Sequence, residues 1–272
     1  MRCPFGLGTV SAMPRTRRWL PVRIAAAFFA FVFLVPSLAL ADLVFGLVPT
    51  GSESVSSSAM GMVAYGLIGA VLVAPAFASQ VRQPEHKIAP LQQIAIVALA
   101  LGCAAAASGA FVGLAGTVVL LVPLVVILAL HPARRRVLRR PHRPKSIQLV
   151  AIALAAAVPT LTYAAQMASN GRAGLPPEDS FAYVPTVWSA AAAMALSTVL
   201  VALLAALRPP GWAVPAACAA VAAFIFGTAS IINPDVPASG GRGWGVAAIL
   251  WSTLWLVAAR RERGGRRVPV RA

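Results

Sequence analysis

The chain has 272 residues, of which 59% are hydrophobic and 11% are charged, and its formal net charge is +16. Soluble domains are typically about 45–50% apolar and about 25% charged, so this composition excludes an ordinary soluble globular protein. The three cysteines, Cys3, Cys103 and Cys218, fit neither a disulfide framework nor a metal-ligand motif, and we expect no cofactor. The basic residues lie in short segments between apolar runs and not over a folded surface, so nucleic acid is not an expected partner.

Apolar segments long enough to cross a bilayer recur along the whole chain. A transmembrane helix needs about 20 predominantly apolar residues. Segments that meet or nearly meet this length are placed at 24–48, 59–79, 91–109, 111–130, 147–168, 186–207, 213–232 and 243–259. The third and fourth segments are read as a tight hairpin because Ser108, Gly109 and Ala110 interrupt an apolar stretch about twice one span long. We therefore predict an all-α, polytopic integral membrane helix bundle of about eight transmembrane helices, forming one domain over residues 24–259.

The first span has two interpretations. A basic segment, residues 1–23, precedes an apolar run that reaches "ALA" at 39–41, which has the outline of a secretory signal cleaved before Asp42. The run continues through "LVFGLV" beyond that site, and this continuation favours an uncleaved anchor.

Short basic segments predict the orientation, because Lys and Arg favour cytoplasmic loops. With both termini in the cytoplasm, 21 of the 23 basic residues fall on the cytoplasmic side. They include the N-terminal segment, the loop 131–146 and the tail 260–272. We predict cytoplasmic N- and C-termini in a multi-pass protein of the bacterial plasma membrane.

The most basic loop is "HPARRRVLRRPHRPKS", residues 131–146, whose three prolines oppose a continuous helix. Besides holding the loop on the cytoplasmic side, its cations are expected to attract anionic lipid headgroups, by about 1 kcal/mol per residue near the surface. The residues given this role are Arg134, Arg135, Arg136, Arg139, Arg140, Arg143 and Lys145.

Few polar residues interrupt the predicted spans. Asp42, in the outer part of the first span, is either a proton or cation site or a residue that reaches water at the interface. In the fifth span, Pro159, Thr162, Tyr163 and Gln166 recur at spacings of three and four and share one helical face. That face predicts either a wall of an outward-facing polar cavity or interhelical hydrogen bonds that hold the bundle.

Two outer loops supply the remaining candidate residues. The loop 232–245 carries Asp235, Arg242 and Trp244 and is either an ordered lid or a polar hairpin loop with Trp244 at the headgroups. The loop that ends near Trp188 contains Glu178 and Asp179, which form either an acid and base pair or a solvated pair of carboxylates.

Three functions follow in decreasing order of support. The first is a non-catalytic bundle or subunit of an envelope assembly, with a membrane-protein partner or a second copy of the chain. The second is a transporter or lipid-handling protein with an outward-facing polar cavity. Its substrate-binding residues would be Asp42, Tyr163, Gln166, Trp188, Asp235, Arg242 and Trp244. The third is an intramembrane enzyme that uses the loop carboxylates, although no enzyme motif is present.

Overall fold

The structure is a computed structural model that describes residues 15–34, 47, 53–111, 113–132, 134, 145–174 and 184–264. Within these ranges the regular secondary structure is helical and contains no strand, which confirms the all-α class. The helices and the π-helical segment, in chain order, are α1 Arg15–Leu34, α2 Glu53–Gly66, π1 Leu67–Val73, α3 Ala74–Arg82, α4 Ile88–Ser108, α5 Gly113–Leu130, α6 Ile147–Arg172, α7 Val184–Ala206, α8 Ala213–Ile232 and α9 Gly241–Gly264.

In the described ranges, seven helices are long and apolar enough to cross a membrane, which confirms the polytopic bundle. One of them, Met60–Arg82, runs continuously through α2, π1 and α3. The apolar part of α1, Trp19–Leu34, is shorter, and α1 begins at Arg15 within the predicted basic N-terminal segment. The rest of the predicted first span lies outside the described residues apart from Leu47, which is in a turn.

Local capping explains several helix ends. The α4 helix ends at Gly109, whose φ of 71° is left-handed and whose N–H bonds back to the carbonyls of Ala105 and Ala106. This residue turns the chain into α5, as the sequence predicts, because glycine adopts such a φ without steric cost. At the start of α6, Ser146 is the N-cap and its Oγ accepts the Leu149 N–H.

Several span boundaries differ from the sequence prediction: α2 begins at Glu53 and not at 59, and α9 ends at Gly264 and not at 259. The α6 helix continues to Arg172, beyond the predicted boundary at 168, because its last turn packs against the end of α4. There the Arg172 Nε donates to the Ala107 carbonyl at 2.6 Å, and a Cβ on Gly171 would lie 2.8 Å from the Ser108 Cβ. Phe111, predicted to begin the fourth span, is in a turn, and α5 begins at Gly113.

Loops and helix ends gather at two opposite ends of the bundle, which we name after one residue of each. The Arg208 end contains the link 207–212, the start of α6 and the end of α9. There the Ser146 N–H donates to the Ala206 carbonyl at 3.2 Å. The Pro234 end contains the link 233–240, the end of α6 and the turn between α4 and α5.

The burial pattern separates central helices from helices that face the surroundings. Within the described burial pattern, Thr186–Ala206 of α7 and Met60–Arg82 are mostly buried, whereas α5, α6 and α9 expose most of their surfaces. The exposed positions on those three helices are largely apolar, including Val122, Val158 and Leu250. Such surfaces suit a hydrocarbon environment, in which backbone polar groups are satisfied within each helix.

The π1 segment lies in the core and is tied to α4 by one amide. Gln93 is fully buried, and its Nε2 donates to the Leu72 carbonyl at 2.5 Å. A π-helix leaves irregular backbone bonding that side chains can satisfy. Gln93 therefore joins α4 to the π-helical segment at this point of the membrane-spanning unit.

Candidate functional site

A cavity of about 510 Å³ lies among α6, α7, α8 and α9. This volume falls within the roughly 300–1,000 Å³ that ligand pockets usually have. The four helices contribute to its walls together with the link 233–240. The lining residues are Ala155, Ala156, Pro159, Thr160, Thr162, Tyr163, Gln166, Met167, Met194, Ala195, Thr198, Val199, Ala223, Phe226, Ser239, Gly240, Trp244, Ala247, Ala248 and Trp251.

Most of the polar groups in the walls already have partners. Three threonine hydroxyls donate to carbonyls one turn earlier in their own helices: Thr160 to Ala156, Thr162 to Val158 and Thr198 to Met194. A hydroxyl that bonds its own helix presents mainly its methyl group to the surroundings. The cavity is therefore predominantly apolar, whereas the sequence suggests a polar wall.

Two hydrogen bonds join α6 to its neighbours across the cavity. Nearer the Pro234 end, the Tyr163 hydroxyl donates to the Ala238 carbonyl at 2.5 Å. Nearer the Arg208 end, the Trp251 Nε1 donates to the Ile152 carbonyl at 2.9 Å. The two α6 residues are separated by eleven positions, or about 16 Å at 1.5 Å per residue. We call the cavity and the gap between these two bonds the lateral cleft.

The lateral cleft opens toward the lipid-facing side of the bundle. Its flanking helices present exposed apolar residues on either side, including Val158 and Leu161 on α6 and Val246 and Leu250 on α9. Its back wall consists of buried residues of α7 and α8. A molecule in the bilayer could therefore enter between α6 and α9 without crossing a polar surface.

Pro159 contributes a backbone feature as well as its ring. Proline has no N–H, so the carbonyl of Ala155, four residues earlier, lacks its usual helical donor. Both Ala155 and Pro159 line the lateral cleft. The α6 wall therefore contains a hydrogen-bond acceptor near the middle of a membrane-spanning helix.

The structure brings together three of the residues proposed from sequence to bind a substrate. Tyr163, Gln166 and Trp244, from two helices, all line the lateral cleft. The Tyr163 ring packs edge-on against Phe226, with centroids 5.4 Å apart. Gln166 and Trp244 are exposed toward the Pro234 end. Their binding role remains a prediction.

Three of the other proposed residues, all of them described, are not brought to the cleft. Trp188 is buried in α7, where it packs beside Gly171 of α6 and outside the cavity. Asp235 and Arg242 are exposed at the Pro234 end and do not line the cavity either. Asp42 lies outside the described residues. Of the proposed headgroup residues, Arg134 and Lys145 are exposed, and those between them lie outside the described ranges.

Sequence reasoning missed the residues that close the cleft toward the Arg208 end. Trp251 lines it there and stacks on Trp255, with ring centroids 5.4 Å apart and an interplanar angle of 15°. The spacing of Trp244, Trp251 and Trp255 by seven and four places them on one helical face, which was the available signal. The back-wall residues Met194 and Phe226 carry no such signal, because they lie in uniformly apolar spans.

Beyond this closed end, a polar cluster ties together the four helices that form the cleft. Arg208, only 6% exposed, forms an ion pair with Glu262 near the end of α9. The Ser146 hydroxyl donates to Glu262 Oε1 at 2.5 Å. The guanidinium groups of Arg208 and Arg263 lie 5.7 and 5.5 Å from the ring centroid of Trp212, so both make cation–π contacts. We call these five residues the Arg208 clasp.

Comparisons with known proteins add no functional assignment. No protein-family model, curated protein sequence or solved structure shows significant similarity to this chain. The geometry of the bundle is therefore the basis for the functional proposal.

Proposed function

We propose that this protein is a lipid-handling membrane protein that binds the apolar part of a membrane lipid in the lateral cleft. The observation that carries the proposal is the cavity of about 510 Å³ with predominantly apolar walls among four membrane-spanning helices. The cleft continues into the lipid-facing surface between α6 and α9, so its ligand would come from the bilayer. The proposal takes up the transporter or lipid-handling hypothesis, with an apolar binding site in place of a polar one.

The distribution of charge supports an orientation for this binding site. Exposed cations at the Arg208 end include Lys145, Arg260 and Arg261. Lys and Arg favour the cytoplasmic side and attract anionic headgroups there. In the proposed orientation the Arg208 end faces the cytoplasm, and Trp244 lies at the outer headgroup level.

Photolabelling tests the proposal directly. The purified protein is reconstituted in bilayers that contain phosphatidylcholine with a diazirine on one acyl chain, and the labelled positions are mapped after irradiation. We expect label on the buried back wall, Met194 and Val199, because the bound chain reaches it. Buried residues of the same helix outside the cleft, Val201 and Ala205, should remain unlabelled.

A matched pair of variants distinguishes a bound chain from surrounding lipid. Ala195→Phe places a ring in the cavity, whereas Ala165→Phe places the same ring on an exposed position of α6 outside it. We expect Ala195→Phe to abolish back-wall labelling and Ala165→Phe to leave it unchanged. The proposal is contradicted if the wild type shows no label on the back wall, or if the label on the back wall persists in Ala195→Phe.

The membrane-subunit hypothesis is a second proposal, favoured by the apolar face of α5. Val118, Val122 and Val125 on this helix are all more than half exposed. A partner helix or a second copy of the chain could cover them. Crosslinking from cysteines at these positions in native membranes tests this proposal, because a partner would give one discrete adduct and lipid contact alone would give none.

A further inference from the structure

We propose that Trp251 is a specificity-determining residue that limits the length of the acyl chain in the lateral cleft. This inference rests on the proposed function and deepens it, because it concerns which lipid chain the same cleft accepts. The two ends of the cleft differ in polarity and in how far they are closed. One end is open and polar, and the other is closed by stacked indoles.

The closed end is rigid because each indole is fixed to a neighbouring helix. The Trp251 Nε1 donates to the Ile152 carbonyl at 2.9 Å, which joins α9 to α6 below the cleft. Trp255 lies behind it, fully buried, and its Nε1 donates to the Ala216 carbonyl of α8 at 2.9 Å. The two hydrogen bonds hold the stacked indoles of Trp251 and Trp255 crosswise at the end of the cleft. A chain that enters the cleft therefore meets the Trp251 ring as a floor.

The open end suits the polar head of the lipid. Gln166 and Trp244 line it and are exposed, and the polar link 233–240 lies beside it. Tryptophan favours the headgroup level of a bilayer, where its ring is partly apolar and its N–H reaches water. At the floor, in contrast, the lining residues Ala155, Val199 and Trp251 offer no charged side chain. A lipid would thus place its head near Trp244 and the end of its chain against Trp251.

The distance between head and floor then sets the length of the chain. The α6 residues that line the cleft run from Ala155 to Met167, a rise of about 18 Å. This length is a little more than half of a hydrocarbon core about 30 Å thick, so the cleft matches one leaflet. A longer chain would have to bend out of the cleft or displace Trp251. A shorter chain would leave part of the apolar wall without contacts.

Competition between chain lengths tests the inference. The purified protein is incubated with equimolar lysophosphatidylglycerols that carry saturated chains from lauroyl to stearoyl, and bound lipid is quantified by native mass spectrometry. We expect the wild type to prefer one intermediate length. Trp251→Ala should shift the preference to longer chains, because removal of the indole opens the floor. Each additional methylene admitted should change the ratio of bound lipids by up to about fourfold.

A substitution that narrows the cleft near its floor provides a test that does not require the Trp251 variants to fold. Ala155 is exposed and lines the cleft near the floor, so Ala155→Leu fills space there without disturbing the core. We expect it to shift the preference to shorter chains. Trp251→Phe, which keeps a ring but loses the bond to Ile152, should give an intermediate shift. The matched control is Val257→Ala, on an exposed position of α9 outside the cleft, and it should leave the preference unchanged.

The outcomes separate the two proposals. Failure of the wild type to bind any of these lipids, together with an unlabelled back wall, contradicts the proposed function itself. Binding with no preferred length, or with a preference that neither Trp251→Ala nor Ala155→Leu alters, leaves lipid binding intact and overturns the role of Trp251.

Discussion

Glu262 links the end of α9 to two other members of the Arg208 clasp, so its neutralisation perturbs the bundle in a calculable way. It accepts a hydrogen bond from Ser146 and forms the ion pair with Arg208. Removal of one partner from a buried ion pair costs about 3–5 kcal/mol, because the remaining charge stays buried. The Glu262 side chain is 26% exposed, which screens the pair. We therefore expect Glu262→Gln to lower the free energy of unfolding by about 3 kcal/mol.

The measurement is unfolding of the purified protein in mixed micelles by increasing SDS, followed by circular dichroism. Glu85→Gln is the control, because Glu85 is an exposed carboxylate whose contact with His86, at 3.6 Å, is on the surface. It should cost well under about 1 kcal/mol. Arg208→Met/Glu262→Gln removes both charges of the buried ion pair, so the double variant should be less destabilised than the sum of the single variants. If Glu262→Gln costs no more than the control, the ion pair does not stabilise the bundle as argued.

Three further predictions concern burial elsewhere in the bundle. Burial lowers the pKa of His131, and this effect is larger than the rise in pKa caused by the hydrogen bond to the Pro84 carbonyl. As the pH falls, the unfolded chain is therefore protonated at His131 before the folded chain is. Stability should therefore decrease below about pH 6.5, measured by SDS unfolding across pH, and His131→Gln should reduce that decrease. A Cβ on Gly227 would lie 2.6 Å from the Gly245 carbonyl oxygen, so Gly227→Ala should destabilise by about 1–3 kcal/mol; Gly243→Ala, which meets no atom within 4 Å, is the unfolding control. Gln93→Leu removes the bond to the π-helical segment and should cost about 1 kcal/mol in the same assay, and an unchanged midpoint would show that the bond contributes nothing.

The class of fold could be predicted from sequence because it depends on properties summed over whole segments. About 20 apolar residues make a membrane span regardless of how they pack. Helix ends depend on local contacts and were predicted less well. The polar run from Ser169 to Arg172 suggests a loop, yet it stays helical because the Ser169 hydroxyl bonds to the Gln166 carbonyl and Arg172 bonds to α4.

The candidate site could be predicted only in part, because it depends on contacts between distant segments. Three- and four-residue spacings define a helical face, so the sequence predicts Tyr163 and Gln166 on one side of α6, and both line the cavity. Periodicity does not predict which acceptor a hydroxyl group bonds. The Thr162 hydroxyl, for example, donates to the Val158 carbonyl of its own helix. The apolar back wall comes from α7 and α8, where nearly every residue is apolar and no position is distinguished in the sequence.

The two ends of the lateral cleft differ in the interactions that hold their helices together, because, among the described residues, an ion pair lies beyond only one of them. Toward the Pro234 end, the link 233–240 makes neutral hydrogen bonds to two helices: the Tyr163 hydroxyl donates to the Ala238 carbonyl, and the Gly240 N–H donates to the Ser230 Oγ. Toward the Arg208 end, Trp251 and Trp255 each bond to a neighbouring helix, and the ion pair of the Arg208 clasp lies beyond them. Hydrogen bonds between membrane helices average about 0.6 kcal/mol, whereas removal of one partner from a buried ion pair costs about 3–5 kcal/mol, so the Pro234 end opens at a smaller free-energy cost. Under the proposed lipid-handling function, the lipid head would lie at the Pro234 end of the cleft and the acyl chain would run toward the end that Trp251 and the Arg208 clasp hold together. Under the same proposal, this asymmetry gives a physical reason to expect the cleft to discriminate lipids by chain length and not by head chemistry.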